Sequence, residues 1–272
     1  MAIEALTDRQ SRERRYYDEF VQLSVPQVAS FEPIRGKERR PWNPYWYVAE
    51  LVREKYTGES QQLLDFGCGP GSYSIVFAHF GYEVSGFDIS EGNIRAAQAL
   101  AERYSVADRT HFQVSTAEQL DYPSSFFDLI VGIDILHHVD IRRAVPECLR
   151  VLKPGGVAIF KEPIEVPMFD RLRNTRLGRA LRPKDVSFDR HITEDERKLT
   201  ASDLARIKAA CHAEERRFRF ISRIETLIFG SGHAWLTATG ASRLEMVDEF
   251  LLRTCPPLGV FGGNVVLTCH HR

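Results

Sequence analysis

The strongest constraint on the fold of this chain is a regular alternation from Gln61 to about Lys161, where short apolar runs take turns with helical patterns. "QLLDF", "YEVSGFD", "THFQVS", "FFDLIVGID" and "VAIFKE" read as five strands. Between them, "YSIVFAHFG" reads as a helix closed by Gly81, and "SEGNIRAAQALAERY" as a helix capped by Ser90 with Glu91 in its first turn. "IRRAVPECLRVLKPGG" reads as a third helix ending in a Pro-Gly-Gly turn, with Pro146 an irregularity inside it. Strands apolar along their whole length need cover on both faces. The fold class is therefore α/β, a doubly wound and mostly parallel sheet.

The flanks read differently. Residues 1–60 are aromatic and proline-rich and form an N-terminal helical cap without a strand. Within them, the two prolines of "RRPWNPYW" point to a shaped turn, and Trp42, Tyr45, Trp46 and Tyr47 to a lid, an apolar pocket wall or a helix packed on the sheet. Residues 61–162 make the ligand-binding core, and 163–272 a variable substrate segment of the same domain. In that segment "TASDLARIKAA" starts a helix with a Thr200–Asp203 capping box, and "RRFRFISRI" and "GGNVVLTCHH" read as two more strands. The second of these is an antiparallel last strand, reached through a helical insert around Trp235–Leu252, so the sheet has seven strands.

Composition narrows the partners. With 36 basic and 37 acidic residues the net charge is -1, which gives no general pull toward nucleic acid or anionic membrane. Arginines cluster at Arg12, Arg14 and Arg15 and recur from Arg171 to Arg182, as solvated helix faces do. The five cysteines are odd in number and widely spaced, without a C-x-x-C pair, which argues against disulfides and zinc and for a cytoplasmic protein; no metal is expected. The N-terminus lacks the apolar core of a secretory signal, and no run approaches the roughly 18 apolar residues of a membrane span. A monomer or a homodimer fits.

After the first strand, "DFGCGPG" sets Gly67, Gly69 and Gly71 one residue apart. In an open parallel sheet this turn lies at the carboxyl edge, where ligands bind, and bare backbone lets the chain approach one closely. A dinucleotide loop wants G-x-G-x-x-G or G-x-G-x-x-A, but Ser72 holds the sixth position. Asp88 ends the second strand, where a carboxylate accepts hydrogen bonds from both hydroxyls of a ribose.

The chain resembles the class I S-adenosylmethionine-dependent methyltransferases over roughly 100 residues. "LLDFGCGPG" is similar to their first motif, "GFDIS" to the second, "FDLIVGIDILHHV" to the fourth-strand motif, and "LRVLKPGGVAIFKEP" to the helix, turn and fifth strand that close the core. The likeness is nearest to the small-molecule branch that includes the ubiquinone and menaquinone methyltransferases. It implies a Rossmann-like fold with S-adenosyl-L-methionine as cofactor. It also implies that Asp65, Gly67, Cys68 and Gly69 hold the methionine end, Asp88 the ribose, and Ile89, Asn93 and Ala117 the adenine, with Ile133 at the end of the fourth strand. Where the family commonly carries an acid for the adenine amino group, this chain has Thr116. Tyr17 resembles the N-terminal tyrosine that closes over the cofactor in related enzymes.

Methyl transfer is an in-line displacement from an excellent leaving group, so a protein mainly supplies position and excludes water. A hydroxyl acceptor also needs a base. His137 and His138 follow the fourth strand and Glu162 ends the fifth, all on the edge of the glycine loop, and are the catalytic candidates. Consecutive residues face different ways, so at most one of the two histidines points at the ligand, and a structural histidine bonded to loop backbone is the alternative. His191 is a further candidate in the variable segment. The function expected is methyl transfer to a small-molecule acceptor, with oxygen the favoured atom. The alternatives are a nicotinamide-dependent oxidoreductase and a non-catalytic cofactor-binding protein.

Overall fold

The computed structural model describes residues 6–23, 42–58, 60–167, 171, 197–222 and 241–271. His191, the arginines from 173 to 182 and the 223–240 part of the insert, with Trp235, lie outside the described residues. In chain order the elements are α1 (Asp8–Leu23), α2 (Pro44–Lys55), β1 (Gln62–Phe66), α3 (Ser72–Phe80), β2 (Glu83–Asp88), α4 (Glu91–Arg103), β3 (Thr110–Val114), β4 (Phe127–Ile133), α5 (Ile141–Val151), β5 (Leu152–Pro163), α6 (Ala201–Ala210), β6 (His212–Phe218), α7 (Ala241–Thr254) and β7 (Asn264–His270).

The seven strands form one sheet in the order β3-β2-β1-β4-β5-β7-β6. β1 to β5 run parallel, and β7 inserts antiparallel between β5 and β6. The order reverses between β1 and β4, which opens a crevice at their carboxyl ends. Alternation along β1 supplies both faces of the sheet. Leu64 and Phe66 pack toward Ala144 and Cys148 of α5 and Leu204 and Ile207 of α6. Leu63 packs the other way, toward Val48 and Val52 of α2, Ile75 and Phe77 of α3 and Ile94 and Ala97 of α4. Each fully buried leucine or phenylalanine contributes about 1.5–3 kcal/mol.

Local chemistry sets the ends. Gly81 closes α3 at φ 111°, the Ser90 hydroxyl accepts from Asn93 N to cap α4, and Thr200 and Asp203 make the reciprocal capping box of α6. Of the two prolines expected to shape a turn, Pro41 lies outside the described residues, and Pro44 follows a turn at 42–43. Asn43 caps α2 by accepting from Tyr45 N and Trp46 N, and Pro44 takes the first helical position, where a missing N–H costs nothing. Pro146 sits on the exposed face of α5, where solvent satisfies the carbonyl it leaves unpaired. The Pro-Gly-Gly stretch already belongs to β5, and the register between β4 and β5 shifts between Phe127 and Leu129. β6 begins five residues before Arg217 and stops at Phe218, short of "ISRI", because Arg219 turns the chain to φ 59°.

α1 lies across the core rather than inside it. Asp18 accepts from the Ser90 hydroxyl at 2.6 Å and Gly92 N at 3.0 Å, at the N-terminus of α4, where a carboxylate also meets the favourable end of the helix dipole. Arg14 pairs with Glu91 at 3.0 Å, and Gln10 Nε2 donates to Glu118 at 3.0 Å. Among the described residues no helix is long and apolar enough to cross a membrane.

Candidate active site

A cavity of about 970 Å³, counting its open mouth, occupies the crevice between β1 and β4 beneath α1. The glycine loop forms its floor. Gly67 has φ 76°, and a Cβ there would lie 2.5 Å from Ile135, so the loop and the end of β4 meet with no room between them. Gly69 has φ 51° and open space where a Cβ would point, which leaves bare backbone on the cavity.

Asp88 closes one wall. Its carboxylate accepts from Gly69 N at 3.1 Å, Ser90 N at 2.9 Å and Asn93 Nδ2 at 3.1 Å. Burial pushes its pKa up, and these hydrogen bonds pull it back. Ile89, Asn93, Thr116, Ala117 and Ile133 line the same cavity, and Tyr17 reaches it from α1. Thr116 takes the place of an acid on the wall, and Glu118, two residues on, supplies a carboxylate that accepts from Asp140 N and Gln10 Nε2.

Two of the residues expected at the cofactor do not reach the cavity wall. Asp65 is 3% exposed and turns into α3, where the Ser74 hydroxyl donates to it at 2.5 Å. Cys68 turns inward beneath Gly86, because a side chain between two positive-φ glycines points away from the face their backbone presents. The three catalytic candidates also separate. His138 lines the cavity. His137 is buried, with Nδ1 2.6 Å from Glu162 Oε2, while Glu162 Oε1 accepts from Ile135 N and Leu136 N. This pair thus braces the tight turn Leu136–His138 from behind and sets the direction in which His138 leaves it.

Gln10, Glu13 and Asp134 escape a reading of strands and motifs. Gln10, Glu13 and Tyr17 line the cavity from one face of α1, at the i, i+3, i+7 spacing that was legible in the sequence. The Tyr17 hydroxyl lies 3.2 Å from His138 Nε2. Asp134 reaches the wall because its backbone turns to φ 56° just past β4. Tyr45 donates to Asp134 at 2.8 Å, and Lys161 pairs with it at 2.7 Å and sits 4.0 Å above the Tyr45 ring. Burial pulls the Lys161 pKa down, and Asp134 opposes that pull.

Donor atoms of Asp134, His137 and Glu162 fall within 4.8 Å of one another, near enough to share a metal ion. They are already committed, however. Asp134 binds the Lys161 ammonium through both oxygens, and Glu162 takes two backbone N–H groups and His137. An ion there would have to displace the buried ammonium.

Known proteins share the core of this chain. The methyltransferase-domain family matches residues 64–160, from β1 through most of β5. This stretch is similar to methyltransferase domains. The domain is 35% identical over 108 residues to 27-O-demethylrifamycin SV methyltransferase of Amycolatopsis mediterranei, a match covering 39% of this chain and 40% of that protein. It is 34% identical over 130 residues to a ubiquinone biosynthesis O-methyltransferase of Coxiella burnetii, covering 44% and 55%. The chain thus spans about half the length of the curated relatives it matches. In fold, the chain resembles geranyl diphosphate C-methyltransferase from Streptomyces coelicolor, whose structure holds S-adenosyl-L-homocysteine. The TM-score is 0.56 at 16% identity, and the likeness covers 100% of both chains.

Proposed function

We propose that this protein binds S-adenosyl-L-methionine and transfers its methyl group to a hydroxyl of a small-molecule acceptor, in the cytoplasm. One observation carries the cofactor reading. Glu13, Asp88, Glu118 and Asp134 line the cavity, and no lysine or arginine does so among the described residues. An anionic wall suits a ligand carrying a sulfonium and an ammonium. It repels the pyrophosphate of a nicotinamide dinucleotide, for which the loop also lacks the sixth-position glycine or alanine.

The residues present fit that cofactor. Asp88 would hold the ribose hydroxyls, the Gly67–Gly69 backbone would pass beneath the amino-acid end, and Ile89, Asn93 and Ala117 would flank the base. When bound, the cofactor supplies a methyl group activated by positive sulfur. The chain's own part is to exclude water with α1, orient the acceptor and remove its proton. His138 is the base, since it lines the cavity and its Nε2 meets the Tyr17 hydroxyl there. His137 and Glu162 act through the turn that aims His138. The relatives' names, a rifamycin and a ubiquinone O-methyltransferase, support oxygen as the acceptor atom and secondary metabolites or quinones as the acceptor class, with lipids and sugars as further candidates.

Calorimetric titration with S-adenosylmethionine, S-adenosylhomocysteine and NAD tests this. Micromolar binding of the two adenosyl-sulfur ligands and none of NAD is expected. Asp88→Ala should weaken both by about 100-fold, the loss of two hydrogen bonds to a charged acceptor. Binding of NAD alone refutes the reading.

A further inference from the structure

The cap helix carries more than a cover for the cavity. Glu13 is on α1, is 4% exposed, and points its Oε2 at His138 Nδ1 across 3.3 Å. The pair stands at ion-pair distance without hydrogen-bond geometry, and among the described residues no hydrogen bond reaches that nitrogen. The other ring nitrogen, Nε2, meets the Tyr17 hydroxyl at 3.2 Å, one helical turn further along α1. A carboxylate, an imidazole and a hydroxyl therefore stand in line, with the two outer members on the cap and the middle one on the core.

We infer that Glu13 is the positioning residue that holds His138 in its Nδ1–H tautomer and so leaves the Nε2 lone pair as the base. The inference rests on the reading of His138 as the base. The physical reason is local. In neutral imidazole one nitrogen donates and the other accepts. If Nε2 carried the proton, the bare Nδ1 lone pair would face a buried carboxylate with no donor between them, and both groups would lose a hydrogen bond in a region where that costs about 1–3 kcal/mol each. With the proton on Nδ1 that contact becomes attractive, and the bare Nε2 accepts from the Tyr17 hydroxyl until an acceptor hydroxyl takes that place. Once the base has taken an acceptor's proton, the imidazolium stands beside the Glu13 carboxylate, which offsets its charge.

The arrangement has a consequence for the cap. α1 is joined to the core by Asp18 on Ser90 and Gly92, next in sequence to the cavity-lining Ile89 and Asn93, and by Gln10 on Glu118, both of which line the cavity. The tautomer of His138 is therefore set only while the cap is docked.

The test needs no acceptor. Ring ¹⁵N spectra of histidine-labelled protein, taken in alkaline buffer where an ordinary imidazole is neutral, report which nitrogen is protonated, and His138→Asn identifies the resonance. The wild type should show Nδ1–H. Glu13→Ala should move the ring toward the intrinsically favoured Nε2–H form, and Glu13→Gln, whose amide oxygen still accepts, should restore Nδ1–H. A merely structural Glu13 would leave the tautomer unmoved in all three. Nε2–H in the wild type, or an unchanged tautomer in Glu13→Ala, overturns the inference. The wild-type spectrum decides even if Glu13→Ala fails to fold. S-adenosylhomocysteine titration of the same samples keeps failure of the cofactor reading separate from failure of the tautomer.

Discussion

Asp65 makes a sharp prediction because it is an acid placed where an anion is costly. It ends in the packed layer between β1 and α3, 3% exposed. Burial is the main cause that pushes its pKa from 3.8 up to about 7; the Ser74 hydroxyl pulls it down, and the charge of Asp88 adds to the rise. A rise of about three units at about 1.36 kcal/mol each is worth about 4 kcal/mol. Below pH 4 the folded and unfolded chains both hold the proton, and Asp65 adds no pH dependence. Between about pH 4 and pH 7 the unfolded chain releases it and the folded chain keeps it, so folding stability falls as pH rises. Above pH 7 the loss is complete. Asp65→Asn cannot ionise, yet its Oδ1 still accepts from Ser74. Its stability relative to the wild type should therefore climb by about 4 kcal/mol from pH 4 to pH 8, measured by urea unfolding at half-unit steps. Subtraction removes every other titrating group. A flat difference, or one that falls with pH, would refute the reasoning.

The glycine loop separates strain from crowding. Gly67→Ala meets Ile135 at 2.5 Å as well as an unfavourable φ, and should cost about 2–4 kcal/mol in thermal or urea unfolding, whereas Gly69→Ala meets open space and should cost only the φ penalty of about 1–2 kcal/mol while weakening S-adenosylhomocysteine binding. The Lys161–Asp134 pair should be asymmetric. Asp134→Ala strands an ammonium that is 2% exposed, at a cost of about 3–5 kcal/mol, while Lys161→Met leaves a carboxylate that keeps the Tyr45 hydroxyl and some water, at a cost of about 1–2 kcal/mol, both read by urea unfolding.

The alternation from Gln61 to Lys161 determined the parallel core by itself, because a period-two or wholly apolar run and a 3.6-residue pattern are local properties of a chain. The same holds for Gly81, Ser90 and the Thr200–Asp203 box, whose effect reaches only three or four residues. Gly67 and Asp88 were legible for a related reason: a turn after a strand and the end of the next strand must lie on one edge of a parallel sheet. Direction at a single residue was not legible. Asp65 and Cys68 sit within the motif yet turn into the core, and His137 and His138, neighbours in sequence, divide between a buried brace and the cavity wall. What decides there is which side of the backbone the sheet and helices leave open, and that is settled by packing among elements brought together by the fold. Glu13, Glu118 and Asp134 became visible only in three dimensions for the same reason. Each is an ordinary surface-type acid in the sequence, and only the docking of α1 over the β1–β4 crevice gathers them around one cavity.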